Sequence, residues 1–371
     1  MAGAQTVEAP RGGEYSGVQA LRGLAACFVA VFHTTQAWSQ HVNGAQSAWV
    51  NGRYGVEIFF VISGFVMVMS TDGKAAMRNP GWRFMERRLV RIVPLYWLVT
   101  AMVMAKALVL ERLPSLQHVG PHARITIPWV TSSLLFVPFS NSLGTVQPVV
   151  MQGWTLSFEM LFYVLFATAL ALRLRPVRWL TVCFLVMSLA SFWVPDTAPA
   201  AFTLVSPLLL EFVAGMLIAQ WVRAGRPMPQ PIAVAVAALS LLTLLFFPTQ
   251  RIAHDGAVGP IASALLVWSV AALEPALRHR IPRLALSTGN ASYSLYLTHL
   301  LTFSFLLGPA MRLHLMVAQH GILRETAMVV MYLIVAILVG LAVYQWVEAP
   351  INNRMRDWLG LRQARRQPSV L

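Results

Sequence analysis

The sequence predicts an all-α polytopic membrane protein with about ten transmembrane helices and both termini in the cytoplasm. Three observations predict it. Of 371 residues, 57% are hydrophobic and only 11% are charged, with a mean hydropathy of +0.63, whereas a soluble domain carries about 25% charged residues. Ten segments are apolar over roughly the length a bilayer demands. Lys and Arg alternate between the segments as topology rules require. Backbone polar groups in lipid must be satisfied within the chain, so spans of this kind are helices.

The ten expected spans lie at about 18–38, 54–71, 89–110, 154–172, 178–194, 203–222, 231–248, 257–273, 289–308 and 325–347. The stretch 127–139 is apolar but short and contains Pro128 and Pro138, which fits a re-entrant or interfacial piece in the third loop. With the N-terminus in the cytoplasm, 21 of the 28 Lys and Arg residues fall on the cytoplasmic side and 6 on the other, with Lys106 inside the third span. An eleventh span at 127–139 would invert everything after it and spoil that bias. The net charge of +14 is thereby read as a topology signal and not as a nucleic-acid surface. Residues 1–17 form a polar cytoplasmic segment without the apolar core of a signal peptide, 18–350 the membrane domain, and 351–371 a basic cytoplasmic tail at the lipid headgroups. Cys27 and Cys183 sit in apolar stretches as small packing residues, with no metal-ligand spacing.

Span 1, VQALRGLAACFVAVFHTTQ, carries Arg22 and His33. Eleven residues at about 100° each overshoot three turns by some 20°, so both side chains share one face about 16 Å apart. An ionisable group in a span costs roughly 2.5–3.5 kcal/mol on insertion scales and marks function. Span 2, GVEIFFVISGF, carries Glu57 near its outer start. Span 4, in QGWTLSFEMLFY, carries Trp154 and, two turns in, Glu159. His33, Glu57 and Glu159 are expected at similar outer depth, where a carboxylate would orient the imidazole and raise its basicity. A structural polar pair joining helices is the plain alternative.

Span 3 is entered through WRFMERRLVRIVPLYW, with Arg88 and Arg91 at i, i+3 on one face. Guanidinium forks suit phosphates, although such runs also serve the positive-inside rule. Span 9, GNASYSLYLTHL, offers Ser292, Tyr293, Tyr296 and His299 as substrate contacts or as interhelical hydrogen bonds. Glu348 and Pro350 close span 10, and Glu348 is expected to pair with a cytoplasmic-side arginine. Glu211 falls near the middle of span 6 with no assigned partner, and the remaining histidines, including His41, His118, His122, His254, His314 and His320, are expected in loops. There is no GxSxG, HExxH or GxxxxGK, which argues against a serine hydrolase, a zincin and a P-loop ATPase.

Six of these stretches, LRGLAACFVAVFH, GVEIFFVISGF, FMERRLVRIVP, GWTLSFEMLFY, NASYSLYLTH and WVEAP, resemble in order the motifs of the acyltransferase 3 family of bacterial integral-membrane acyltransferases, and specifically its exopolysaccharide O-acetyltransferase-like branch. The resemblance runs from Val18 to about Pro350. It implies that His33 is catalytic with Glu57 or Glu159 as acid partner, that Arg22 belongs with it, and that Arg88 and Arg91 bind acyl-coenzyme A. No SGNH-type hydrolase domain follows within this sequence, unlike in some members.

The expected activity is transfer of an acyl group, expected to be acetyl, from acetyl-coenzyme A to a hydroxyl of a cell-surface or exported glycan or lipid-linked saccharide, in the bacterial inner membrane. Acetyl-coenzyme A is a co-substrate, membrane lipid is the surroundings, and no metal or nucleic acid is expected. His33 either acts as general base or carries the acyl group covalently. Acceptor, leaflet and oligomeric state stay open. The rival is a proton-coupled transporter of a glycan or small metabolite, with His33, Glu57, Glu159 and Glu211 as a relay. No repeat between halves supports it.

Overall fold

The computed structural model describes residues 15–41, 49–71, 79–112, 123–195, 197–226, 228–247, 256–312 and 322–361. The first 14 residues, the histidines at 118, 122, 254, 314 and 320, and the basic tail beyond 361 lie outside the described residues. The described chain is helical, and among the described residues the one β feature is an isolated bridge between Ser140 and Val146. Seven helical stretches are long and apolar enough to cross a membrane, and two shorter apolar helices accompany them.

The elements are α1 (Ser16–His41), α2 (Tyr54–Ser70), α3 (Pro80–Arg112), α4 (Ile127–Leu134), α5 (Gly153–Ala171), α6 (Pro176–Ala190), α7 (Leu209–Arg223), α8 (Gln230–Phe246), α9 (Val258–Ala272), α10 (Glu274–Leu277), α11 (Arg283–Asn290), α12 (Ser292–Arg312), α13 (Ile322–Val343) and α14 (Ala349–Trp358). α1 starts where a buried carboxylate satisfies its first amides: Ser16 N and Gly17 N donate to the two oxygens of Glu274 at 2.7 and 2.8 Å. α3 starts at Pro80 and not near 89, because proline is at home in the first helical turn and the arginine-rich stretch simply continues the helix. α4 has eight residues, about 12 Å of helix, too short to span. The expected span 203–222 is interrupted around Ser206 and Pro207, so Glu211 lies in the first turn of α7. The last span is expected to close at Glu348 and Pro350, but α13 passes through a π-helical turn at Tyr344–Glu348 and continues as α14 to Trp358, with Pro350 in the first turn of α14 where proline is tolerated. Arg83 Nη1 donates to Leu359 O at 3.3 Å, which ties the end of α14 to the start of α3.

The main core joins α1, α2, α3, α5, α6, α7, α9 and α12. Its centre is aromatic: Phe60 stacks on Phe212 at 4.7 Å, and Phe212 meets Phe162 at 4.8 Å. α2 and α7 cross with their backbones in contact. A Cβ on Gly64 would overlap Phe212 O, and one on Gly215 would overlap Val61 O, so only glycine admits this approach. A second cluster, Ala26, Leu295, Tyr332 and Ala336, joins α1 to α12 and α13. Outward faces stay apolar, as with Val182 and Val186 of α6 and Ile334 and Leu338 of α13; such a surface suits hydrocarbon and not water.

Candidate active site

α2 forms one long wall of a cavity of about 710 Å³. The lining runs from Val56 to Met67, about 16 Å of helix. α1, α3, α5 and α12 supply the rest: Arg22, Arg91, Thr155, Glu159, Ser292, Tyr293 and Tyr296. The two guanidiniums project from α1 and α3 towards each other, with Glu159 and Glu348 within electrostatic reach. Neither guanidinium closes an ion pair, since the one salt bridge among the described residues joins Arg83 to Glu86. Arg22 has only a long 3.5 Å contact with Gln19 Oε1.

The carboxylates are held by hydroxyls instead. Glu348, turned inward by the π-helical turn and buried, accepts from Ser294 Oγ at 2.5 Å. Glu159 Oε1 accepts from Ser63 Oγ at 3.2 Å and from Tyr163 Oη in a short contact. Ser292, the first residue of the 21-residue α12, is fully buried, and among the described residues its Oγ has no partner. Two bare cations, a helix N-terminus and an orphan hydroxyl therefore face one space. That combination attracts anions.

α12 is registered here by its tyrosines. Tyr293 Oη donates to Ile92 O at 2.7 Å, directly after Arg91. Tyr296 Oη meets Thr155 Oγ1 at 2.8 Å and Gln152 O at 3.2 Å. The Tyr296 ring packs edge-on against Phe59 at 5.7 Å and lies 6.2 Å from His299. His299 in turn lies 5.3 Å from His33, ring centre to ring centre, with planes 30° apart. The two histidines thus sit just past Tyr296, beyond that end of the cavity.

The expected site residues fall into separate groups. Arg22, Arg91, Glu159, Ser292, Tyr293 and Tyr296 share the cavity. Arg88 does not. It lines a second cavity of about 390 Å³ with Ser70, Thr71, Phe84 and Arg87, donates to Ser70 Oγ at 2.8 Å and lies over the rings of Phe84 and Tyr163. Residues at i, i+3 diverge by about 60° around a helix, and here the Tyr163–Glu159 contact stands between them. Trp154 lines a third cavity of about 700 Å³, on the far face of α5 from Thr155.

The expected meeting of His33, Glu57 and Glu159 does not form. His33 lies near Gln36 of its own helix and has Arg53 within electrostatic reach. Glu57 lies against Gly259 of α9 and faces Glu211 of α7. Equal depth on three helices fixes height and not azimuth, which is why the sequence could not separate these groups. What sequence reasoning missed is His299 as the neighbour of His33. The signal was a histidine closing a Ser/Tyr-rich helix face at i, i+3 from Tyr296.

The comparisons bear on this arrangement directly. The family model described as "Acyltransferase domain", acyltransferase 3, matches residues 15–345. The chain belongs to the acyltransferase 3 family. It is 33% identical over 335 residues to the "Exopolysaccharide production protein ExoZ" of Rhizobium meliloti (strain 1021), covering 88% of this chain and 95% of that protein. It is 26% identical over 287 residues to the "Acyltransferase MdmB" of Streptomyces mycarofaciens, covering 68% of this chain and 69% of that one. No solved structure matches. A multi-pass membrane acyltransferase is therefore the class to which the cavity belongs.

Proposed function

We propose that this membrane acyltransferase is an O-acetyltransferase that moves acetyl from acetyl-coenzyme A to a hydroxyl of a cell-surface or exported glycan. Two unpaired guanidiniums, Arg22 and Arg91, in a cavity that ends beside an imidazole pair carry the reading. Guanidiniums suit the donor's phosphates, with Ser292 and the start of α12 as further contacts and Arg88 reaching the donor from the second cavity. Arg22 and His33 are about 16 Å apart along α1, a distance that an extended thioester arm bridges. His33 then takes the proton of the acceptor hydroxyl, the hydroxyl oxygen bonds to the thioester carbonyl carbon, and the C–S bond breaks. The proton passes on to the leaving thiolate.

In this reading the chain makes ten passes of the bacterial inner membrane with both termini in the cytoplasm, so the donor enters from the cytoplasmic end and the acceptor from the outer half. The likeness to an exopolysaccharide production protein supports a glycan acceptor. The test is purified protein supplied with labelled acetyl-coenzyme A and glycan extracted from cells lacking the gene. Labelled ester on the glycan, absent with His33→Gln, is expected. Substrate flux across proteoliposomes without consumption of acetyl-coenzyme A would replace this reading with the transporter.

A further inference from the structure

We infer that His299 is a positioning residue for His33, its Nε2 lone pair accepting the ring N–H of His33 during transfer; this rests on His33 being the chemical centre. An imidazole base needs something to fix which nitrogen is bare. A carboxylate is the usual orienter, and no carboxylate touches His33 among the described residues. Glu57 is turned towards α7 and α9, and Glu159 is engaged by Ser63 and Tyr163. Around His33 stand Gln36, Phe32 at 4.9 Å, Arg53 at longer range, and His299.

His299 is built for that place. Its Nδ1 lies 2.7 Å from Tyr296 O and 3.3 Å from Leu295 O. Carbonyl oxygens only accept, so Nδ1 carries the hydrogen and Nε2 is left as a pure acceptor. The residue is fully buried, and among the described residues Nε2 has no partner. Its backbone is pinned as well, because Tyr332 Oη donates to His299 O. A buried acceptor without a donor is costly and rarely idle. The ring beside it is His33, which lies alongside His299 rather than hydrogen-bonded to it. A rotation of the His33 ring towards His299 satisfies Nε2 and leaves the other nitrogen of His33 bare for the acceptor hydroxyl. Proton balance is kept: the hydroxyl proton goes to His33 and then to the thiolate sulfur, and His299 neither gains nor loses one.

The inference separates His299 as an acceptor from His299 as packing. The full-length protein carries His299→Gln, whose amide oxygen reaches the place of Nε2. His299→Phe fills the volume without an acceptor, and His299→Asn keeps a donor for Tyr296 O but leaves that place empty. Acetyl-coenzyme A affinity and kcat are measured on each, with His33→Gln alongside. His299→Phe and His299→Asn are expected to lower kcat about 10- to 100-fold, the range for loss of a supporting partner. His299→Gln should stay within about tenfold of wild type, and donor affinity should not move in any of them. If His299→Phe does not fold, the Asn against Gln comparison decides alone. Glutamine no better than asparagine or phenylalanine overturns the inference. If His33→Gln itself keeps its turnover, the assignment of His33 fails and this inference with it; an inactive His33→Gln beside equal 299 variants removes the inference alone.

Discussion

The two ends of the functional stretch of α1 are built on opposite principles. Around Arg22 the protein gathers charges and leaves the cations without an ion pair among the described residues: Arg91 lies opposite, Ser292 Oγ has no partner among them, and Glu159 and Glu348 are occupied by hydroxyls. Around His33 it gathers rings, a tautomer-fixed imidazole and only the more distant Arg53, with no carboxylate in contact among the described residues. Unsatisfied charge in a low-dielectric site is a binding device, because a charged ligand replaces what solvent no longer supplies. In the proposed reading, a site with few charges near the imidazole is suited to a thioester that water would otherwise hydrolyse. In the proposed reading, one helix keeps recognition and chemistry about 16 Å apart.

The comparison breaks most sharply at His33. His33→Ala and His33→Gln should each lower acetyl transfer by at least about a hundredfold, the lower end for loss of a general base, with acetyl-coenzyme A binding intact in a calorimetric titration. Near-normal turnover in the glutamine variant would leave His33 as helix glue. At the other end the effect should move to binding. Arg91→Ala and Arg22→Ala should each raise the donor dissociation constant roughly ten- to hundredfold, a charge-assisted bond of about 1.5–3 kcal/mol being lost, while kcat at saturation changes little. Lysine should rescue only in part, since the fork is lost. Arg88→Ala sharpens the contrast further. Already bonded to Ser70 and set in the neighbouring cavity, Arg88 should contribute only a few-fold to donor affinity; an effect equal to that of Arg91 would mean that the two cavities act as one.

The smallest expected effect falls outside both ends. Glu274→Ala removes the acceptor of two α1 amides and should lower stability by about 1–3 kcal/mol, read as an earlier thermal midpoint in detergent. Donor affinity and kcat of the folded fraction should stay as they were. A change in kcat alone would show that the start of α1 is coupled to His33.

Much of the frame was legible because lipid leaves few choices. Apolar length marked α1, α2 and α5 to within a few residues. The shared face of Arg22 and His33 followed from helix geometry alone. The breaks were harder. Pro207 interrupts a stretch whose hydropathy runs on unchanged, and the π-helical turn at Tyr344–Glu348 carries the last helix on past Pro350 into a polar stretch that hydropathy alone would have left out. The partners were hardest of all. Glu57 and Glu159 have equal claims on His33 by depth, and only the azimuths of α2 and α5 in the packed bundle send one towards Glu211 and the other towards Ser63. His299 was visible as a substrate contact on a hydroxyl-rich face, but its orphan Nε2 depends on the carbonyl of Tyr296, which sequence does not reveal.

The glycine crossing of α2 and α7 has a mechanical corollary. With Gly64 set on Phe212 O and Gly215 on Val61 O, the two helices interlock like the halves of a lap joint and can neither slide nor roll without collision. α2 is also the long wall of the cavity, so that wall is the stator. In the proposed reading, any widening that lets a nucleotide-sized donor enter or leave falls to the other walls, α1, α3, α5 and α12; of these, α1 and α12 also meet α13 across the small residues Ala26 and Ala336. A crosslink from α2 to α7 should therefore leave turnover untouched, whereas one from α2 to α12 should trap the donor on whichever side of the gate it was caught.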